Sequence, residues 1–254
     1  MKFYFVRHAD TLATKQGKIQ GKSDNEENAL TESGKIKVVN ETLPEIDRIL
    51  RSSQKAEIFI YSGTQQRISQ TAGYVIRSLT AQGYLTPDKE HVIYDERLNG
   101  RDYGELEGEN EAELRRKKSL ITKPVKTFSY LLAQMGFKNK AQVEPKPKYE
   151  QKVFDFLYEM FLNHNGKNQI VFVFGNSDVF KALQRCDDIA RMCYFGDEKI
   201  DDSSQGIVSK SHIKIALGEV KSIVFEEPEY DKSLGRFISV AEKYILQNET
   251  VFDI

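Results

Sequence analysis

An apolar, aromatic run, Phe3-Tyr4-Phe5-Val6, stops abruptly at Arg7-His8 near the start of the chain. β-Branched and aromatic residues cluster in it, so it reads as a buried strand. Arg7 and His8 then fall at the strand's C-terminal end, where open α/β sheets bind their ligands. Arginine offers a fixed fork of donors suited to phosphate oxygens. Histidine offers a nitrogen able to attack phosphorus and carry the phosphoryl group covalently.

Two further runs repeat the pattern of an apolar strand ending in polar residues. Glu57 to Ser62 reads as a second strand, and Gln169 to Phe174 is the clearest buried strand in the chain. His91 to Tyr94 reads as a short extended segment. His212 to Leu217 and Val220 to Phe225 read as a hairpin across Gly218-Glu219. Between these lie helical patterns. Thr31 is placed to cap a helix in which Val38, Val39, Leu43, Ile46, Ile49 and Leu50 recur, with an interruption expected at Pro44. Another helix starts at Tyr149-Glu150 and carries Val153, Phe154, Phe156, Leu157, Met160 and Phe161 on its apolar face. Helical character is expected over Glu109 to Leu120, around Phe128 to Met135, and in the tail from Ser233. Asn165-Gly166 reads as a turn, and Asp187 to Gln205 as an irregular connection. Strands alternating with helices indicate a three-layer α/β/α sandwich with a mostly parallel sheet, as one domain over residues 1–254.

Composition narrows the class. A hydrophobic content of 39% with 30% charge is that of a globular protein. No apolar run is long enough to span a membrane. The N-terminus lacks a secretory signal's basic and apolar regions, so a cytoplasmic protein is expected. Cys186 and Cys193 have no metal-ligand cluster around them. Free thiols are expected, with a single disulfide left open and no metal or cofactor implied. The net charge of −1 favours no class of charged partner. Its distribution is uneven, because Arg115 to Lys148 carries ten Lys/Arg and one acid, Glu144. That basic segment is either a positive lid drawing in an anion or a solvated face. A nucleic-acid role is disfavoured, because no base-stacking pattern accompanies the lysines.

Four blocks then carry a resemblance. Arg7-His8-Ala9-Asp10-Thr11 is followed by Gly17, Gln20-Gly21, Asp24 and Leu30-Thr31-Glu32-Ser33-Gly34. Ser62 leads to Arg67-Ile68-Ser69-Gln70-Thr71-Ala72. Leu98-Asn99-Gly100 precedes Arg101-Asp102-Tyr103-Gly104-Glu105. The last buried run ends in Gly175-Asn176-Ser177-Asp178-Val179. In this order, over about three quarters of the chain, the sequence resembles the histidine phosphatase superfamily, whose best-known members are the phosphoglycerate mutases. The Gln-Gly pair and the Leu-Thr-x-x-Gly look more like its phosphatase members.

The resemblance implies a phosphoglycerate-mutase-like fold and a site in which His8 accepts a phosphoryl group held by Arg7 and Arg67. Gln20, Gly21, Tyr103 and Asn176 are the further residues expected around a substrate. The sequence departs from the family's pattern at two places. Gly100 stands where the family carries its acidic residue, and Asn176 where it carries a second histidine. A glycine has no proton to give a leaving alcohol. Asp178, Asp102 and Glu105 are the candidate replacement acids. Over positions 109–148 the family commonly inserts a lid.

Two classes of function remain. One is a phosphomonoesterase acting on a phosphorylated small molecule through a phosphohistidine, impaired or rescued. The other is a catalytically inactive module binding a phospho-ligand, phosphate ion or protein partner. A mutase is disfavoured, since its turnover needs proton transfer and a stable phosphohistidine.

Overall fold

The computed structural model describes residues 2–53, 56–119, 143–164, 167–183 and 216–223. Cys186, Cys193, His212, the centre of the basic segment at 120–142 and the tail lie outside these residues, as do the Asn165-Gly166 turn, the 187–205 connection and positions 212–215 and 224–225 of the expected hairpin. Five strands form one sheet: β1 (Lys2–Arg7), β2 (Glu57–Ser62), β3 (Val92–Tyr94), β4 (Gln169–Gly175) and β5 (Val220–Ile223), in the order β3-β2-β4-β1-β5. The first four are mutually parallel, and β5 runs antiparallel to β1. The α/β class and the mostly parallel sheet therefore stand as read.

The strands' composition explains the layering. Successive side chains on a strand point to opposite faces, so an unbroken apolar run needs cover on both. All seven residues of β4 are buried. On one face Phe3, Phe5, Tyr61, Val171 and Val173 pack under α6 (Lys146–His164) and α7 (residues 177–183). On the other, Val6, Ile58, Ile60, Ile170, Phe172 and Phe174 pack under α3 (Leu43–Arg51) and α4 (Gln66–Ala81). Each fully buried side chain of this size contributes about 1.5–3 kcal/mol relative to exposure. The six apolar residues assigned to the α6 face are all buried there.

Two helix readings shift. Thr31 does cap α2 (Glu32–Lys37), its hydroxyl accepting from Gly34 N at 3.1 Å. No break follows at Pro44, however. α2 passes through a wide π turn, Val38–Thr42, directly into α3, with Pro44 in the first turn of α3. A proline there forfeits no needed donor. α6 starts at Lys146, three residues before the expected start. The helical reading of the basic segment is met at its beginning by α5 (Glu111–Ser119). Earlier in the chain lies the one-turn helix α1 (Leu12–Lys15).

Strand register sets where chemistry can occur. Arg7 pairs with Gly175, Ser62 with Phe174 and Tyr94 with Ser62. The C-terminal ends of β1, β2 and β4 thus finish level. β4 lies between β1 and β2, so the loops leaving all three strands meet over one edge of the sheet. No helix among the described residues is long and apolar enough to cross a membrane.

Candidate active site

Arg7, His8, Gln20, Gly21, Arg67, Gly100, Tyr103, Asn176 and Asp178 line one cleft of about 330 Å³ at that edge. Asp102 and Glu105 do not line it. Asp102 faces Lys22 at 3.7 Å and Gly104 N at 2.8 Å, and Glu105 is exposed. Thr14, Lys18, Glu111 and Lys181 also line the cleft, although sequence reasoning did not single them out.

His8 is 2% exposed. Its backbone N–H donates to Gly175 O at 3.0 Å, extending the strand pairing by one residue. Its Nδ1–H donates to Ala9 O at 2.9 Å. That bond fixes the tautomer and leaves the lone pair on Nε2. Burial, then Arg67 and Arg7, hold the imidazole's pKa well below its ordinary 6.5. The arrangement favours a neutral imidazole whose Nε2 keeps its lone pair.

The Gln70-Thr71-Ala72 block supports it physically. Thr71 Oγ1 accepts from Ala9 N at 3.2 Å and donates to Arg67 O at 2.7 Å, so α4 holds the residue that orients His8. Gln70 Oε1 accepts from Leu30 N at 2.8 Å, and Ala72 packs with no exposure against the sheet.

Arg67 is 1% exposed and enters the cleft from the first turn of α4. Its Nη2 donates to Gly21 O at 2.6 Å and Gln65 Oε1 at 2.9 Å, and its Nη1 to Ser23 O at 3.0 Å. Three of the five guanidinium hydrogens are thereby placed. Nε is buried with no hydrogen-bond partner among the described residues. Burial lowers its pKa to about 10, so it stays charged at neutral pH. Arg7 is half-buried at the end of β1, and burial lowers its pKa too, against the pull of Asp178 and Asp10.

Gln65 and Glu107 also pin the loop at 20–24 across the cleft. Gln65 Nε2 donates to Gly21 O at 3.1 Å and Lys22 O at 2.9 Å, while its Oε1 accepts from Gly100 N at 2.7 Å. Glu107 accepts from Lys22 N at 2.7 Å, from Tyr103 N at 2.9 Å and from the Ser23 hydroxyl. Gly21 takes φ +51°, and a Cβ there would meet Glu107 Oε1 at 2.2 Å. Gln20 Nε2 donates to Thr11 Oγ1 at 2.5 Å. At Gly100 a Cβ would stand 2.1 Å from Gly21 O and 3.0 Å from Arg67 Nη2. The place that a side chain at position 100 would occupy is filled by a backbone carbonyl.

Asn176 ends β4 as a cap for α7. Its Oδ1 accepts from Asp178 N at 2.8 Å and Val179 N at 3.1 Å. Its side chain also hydrogen-bonds Tyr149, whose hydroxyl donates to Asn99 O at 2.9 Å. Asp178 accepts from the Tyr103 hydroxyl at 2.9 Å and pairs with Lys181 at 3.2 Å. Burial and Asp178 push the Tyr103 hydroxyl well above the usual phenol range.

Elsewhere, His164 is buried between Tyr61, whose hydroxyl donates to Nε2 at 2.7 Å, and Gln169 Oε1 at 2.8 Å. His91 sits between Asp88 and Glu57. Both histidines are satisfied structurally and far in sequence role from the cleft, as expected.

The family model of the histidine phosphatase superfamily, branch 1, matches residues 3–186, and the chain belongs to that superfamily. Solved structures share its fold. A phosphoserine phosphatase mutant from Entamoeba histolytica in complex with phosphoserine has a TM-score of 0.54 at 18% identity, over 89% of this chain and 91% of that one. YhfR from Bacillus stearothermophilus has a TM-score of 0.50 at 21% identity, over 74% of this chain and 79% of that one. A mycobacterial glucosyl-3-phosphoglycerate phosphatase has a TM-score of 0.50 at 15% identity, over 75% and 79%. No curated protein matches the chain in sequence.

Proposed function

We propose that the chain binds a phosphorylated small molecule at Arg7, His8 and Arg67 and hydrolyses it slowly through a phosphohistidine at His8. The observation that carries this reading is the pairing of a buried, neutral imidazole with a buried arginine whose Nε lacks a partner in the same cleft. An unsatisfied buried donor costs about 1–3 kcal/mol, which an anion's oxygen would recover. The relatives of like fold include phosphatases, which fits a phosphoryl substrate.

In this reading His8 Nε2 attacks phosphorus, the bond to the leaving oxygen breaks, and water later releases phosphate from the imidazole. Arg7 and Arg67 hold the non-bridging oxygens. Asn176 Oδ1 is engaged with α7, so the residue offers the anion only the neutral N–H of Nδ2, weaker than a charged donor. Turnover of alkyl esters is slow because position 100 supplies no acid, a loss of ~10²–10⁴-fold.

Titration calorimetry with inorganic phosphate, paired with hydrolysis of an aryl phosphate, tests the reading. Phosphate binding should fall at least about tenfold in Arg7→Ala, one charge-assisted contact being worth roughly 1.5–3 kcal/mol. Hydrolysis should vanish in His8→Ala. Equal binding by Arg7→Ala and the wild type would place the anion elsewhere. Binding that survives with no His8-dependent hydrolysis would leave the second reading, a binding module without turnover, which the filled space at Gly100 favours.

A further inference from the structure

The cleft's charges and its missing proton point to a substrate class, an inference that rests on the His8 reading above. Four cationic side chains line the cleft: Arg7, Lys18, Arg67 and Lys181. Two of them, Arg7 and Arg67, suffice for one phosphoryl group. The other two are ion-paired, Lys18 with Glu27 at 2.8 Å and Lys181 with Asp178 at 3.2 Å.

Proton donors are another matter. Among the described residues, two carboxyl groups line the cleft, Asp178 and Glu111. Both Asp178 oxygens already accept, one from the Tyr103 hydroxyl and one from Lys181, so neither presents a proton outward. Glu111 stands exposed at the mouth, in the first turn of α5. The Tyr103 hydroxyl points its hydrogen at Asp178. At position 100 the Gly21 carbonyl, itself an acceptor from Arg67 and Gln65, fills the volume an acid would need.

We infer that the substrates this site turns over best are phosphoric anhydrides, in which the leaving group departs as a stable anion without being protonated. Acyl phosphates and diphosphates share that chemistry. His8 Nε2 forms the new N–P bond as the P–O bond breaks. The bonding pair stays on the departing carboxylate or phosphate oxygen. Water then attacks phosphorus, the N–P pair returns to Nε2, and the water's second proton leaves with hydrogen phosphate or to solvent. No step calls for a general acid. A carboxylate leaving group has an acid pKa near ~4, a phenol near ~10, and an alcohol lies far above both.

The test is kcat/KM of the full chain on acetyl phosphate, diphosphate, phenyl phosphate and glycerol 3-phosphate, with His8→Ala as control and His8→Asn if the alanine variant does not fold. The expected result is His8-dependent hydrolysis of at least one anhydride, faster than glycerol 3-phosphate by ~10²–10⁴-fold, with phenyl phosphate between, the ratio a missing acid would leave. Whichever of acetyl phosphate and diphosphate is faster identifies the leaving anion. His8-dependent hydrolysis of glycerol 3-phosphate within about tenfold of the anhydrides would overturn the inference and leave the His8 phosphatase standing. Absence of His8-dependent hydrolysis of all four would overturn both.

Discussion

In the proposed reading His8 and Gly100 set the chemistry between them, one by its protonation and the other by its neighbours. Burial and the two arginines favour the neutral imidazole. The folded pKa is lowered, so folding excludes a proton that the unfolded chain binds below about 6.5. Two consequences follow in the same direction. Hydrolysis should show no falling limb as pH drops through 6.5, since Nε2 keeps its lone pair, and a pH–kcat/KM profile from 5.5 to 8 checks it. Stability should decline as pH falls from about 6.5 towards the lowered folded value, and by less in a folded His8→Gln variant. At Gly100 the expectation concerns packing. Gly100→Glu should not install an acid. A Cβ 2.1 Å from Gly21 O forces the 20–24 loop to move, at a cost of about 1–3 kcal/mol. A lowered midpoint in thermal unfolding, without a gain on alkyl phosphates, is the predicted outcome.

At the opposite end of the sheet from the cleft, one hydrogen-bonded chain ties four elements together. His91 Nδ1 meets Asp88 Oδ1 at 2.8 Å and its Nε2 meets Glu57 Oε1 at 3.1 Å. Gln169 Nε2 donates to Glu57 Oε2 at 2.6 Å, and Gln169 Oε1 accepts from His164, which accepts from Tyr61. The starts of β2, β3 and β4 and the end of α6 are thus joined. Phe59 packs between the two imidazoles, 5.0 Å from His91 and 4.4 Å from His164. Asp88 and Glu57 raise the pKa of His91, while burial lowers that of His164. For His91 the folded pKa lies above the unfolded one. Its contribution is therefore full below about 6.5 and fades as pH climbs through the raised value. His91→Gln should lower the unfolding midpoint more at pH 6 than at pH 9, and an equal loss at both would show that the pairing is not charge-dependent.

Across the whole molecule, what the sequence disclosed was what repeats locally. The runs of β1, β2 and β4 are apolar without a break, so their burial on both faces was visible residue by residue. The level strand ends, and with them the meeting of Arg7, His8, Arg67 and Asn176, followed from three motifs at three strand exits. The helix through Pro44 was not visible, because a π turn has no periodic signature of its own. Nor were Gln65 and Glu107, whose roles lie in bonds to a loop more than forty positions away in sequence. Asp102 and Glu105 looked well placed by numbering, but Asp102 is held by Gly104 N and faces Lys22, and Glu105 lies exposed in the turn through 104–106. Lys18 enters it from the loop after α1 and Lys181 from α7, and neither carries a motif.

The Gly21 carbonyl also bears on descent. Position 100 and the 20–24 loop occupy the same space, and Gln65 and Arg67 bond to that loop from beneath. A codon change to a carboxylate at 100 meets an occupied site, and selection sees only a less stable protein. A change that reroutes the loop first disturbs Arg67 and gains nothing by itself. An acid at this position therefore calls for two changes together, one at 100 and one in the loop, and the two positions are coupled through the Gly21 carbonyl.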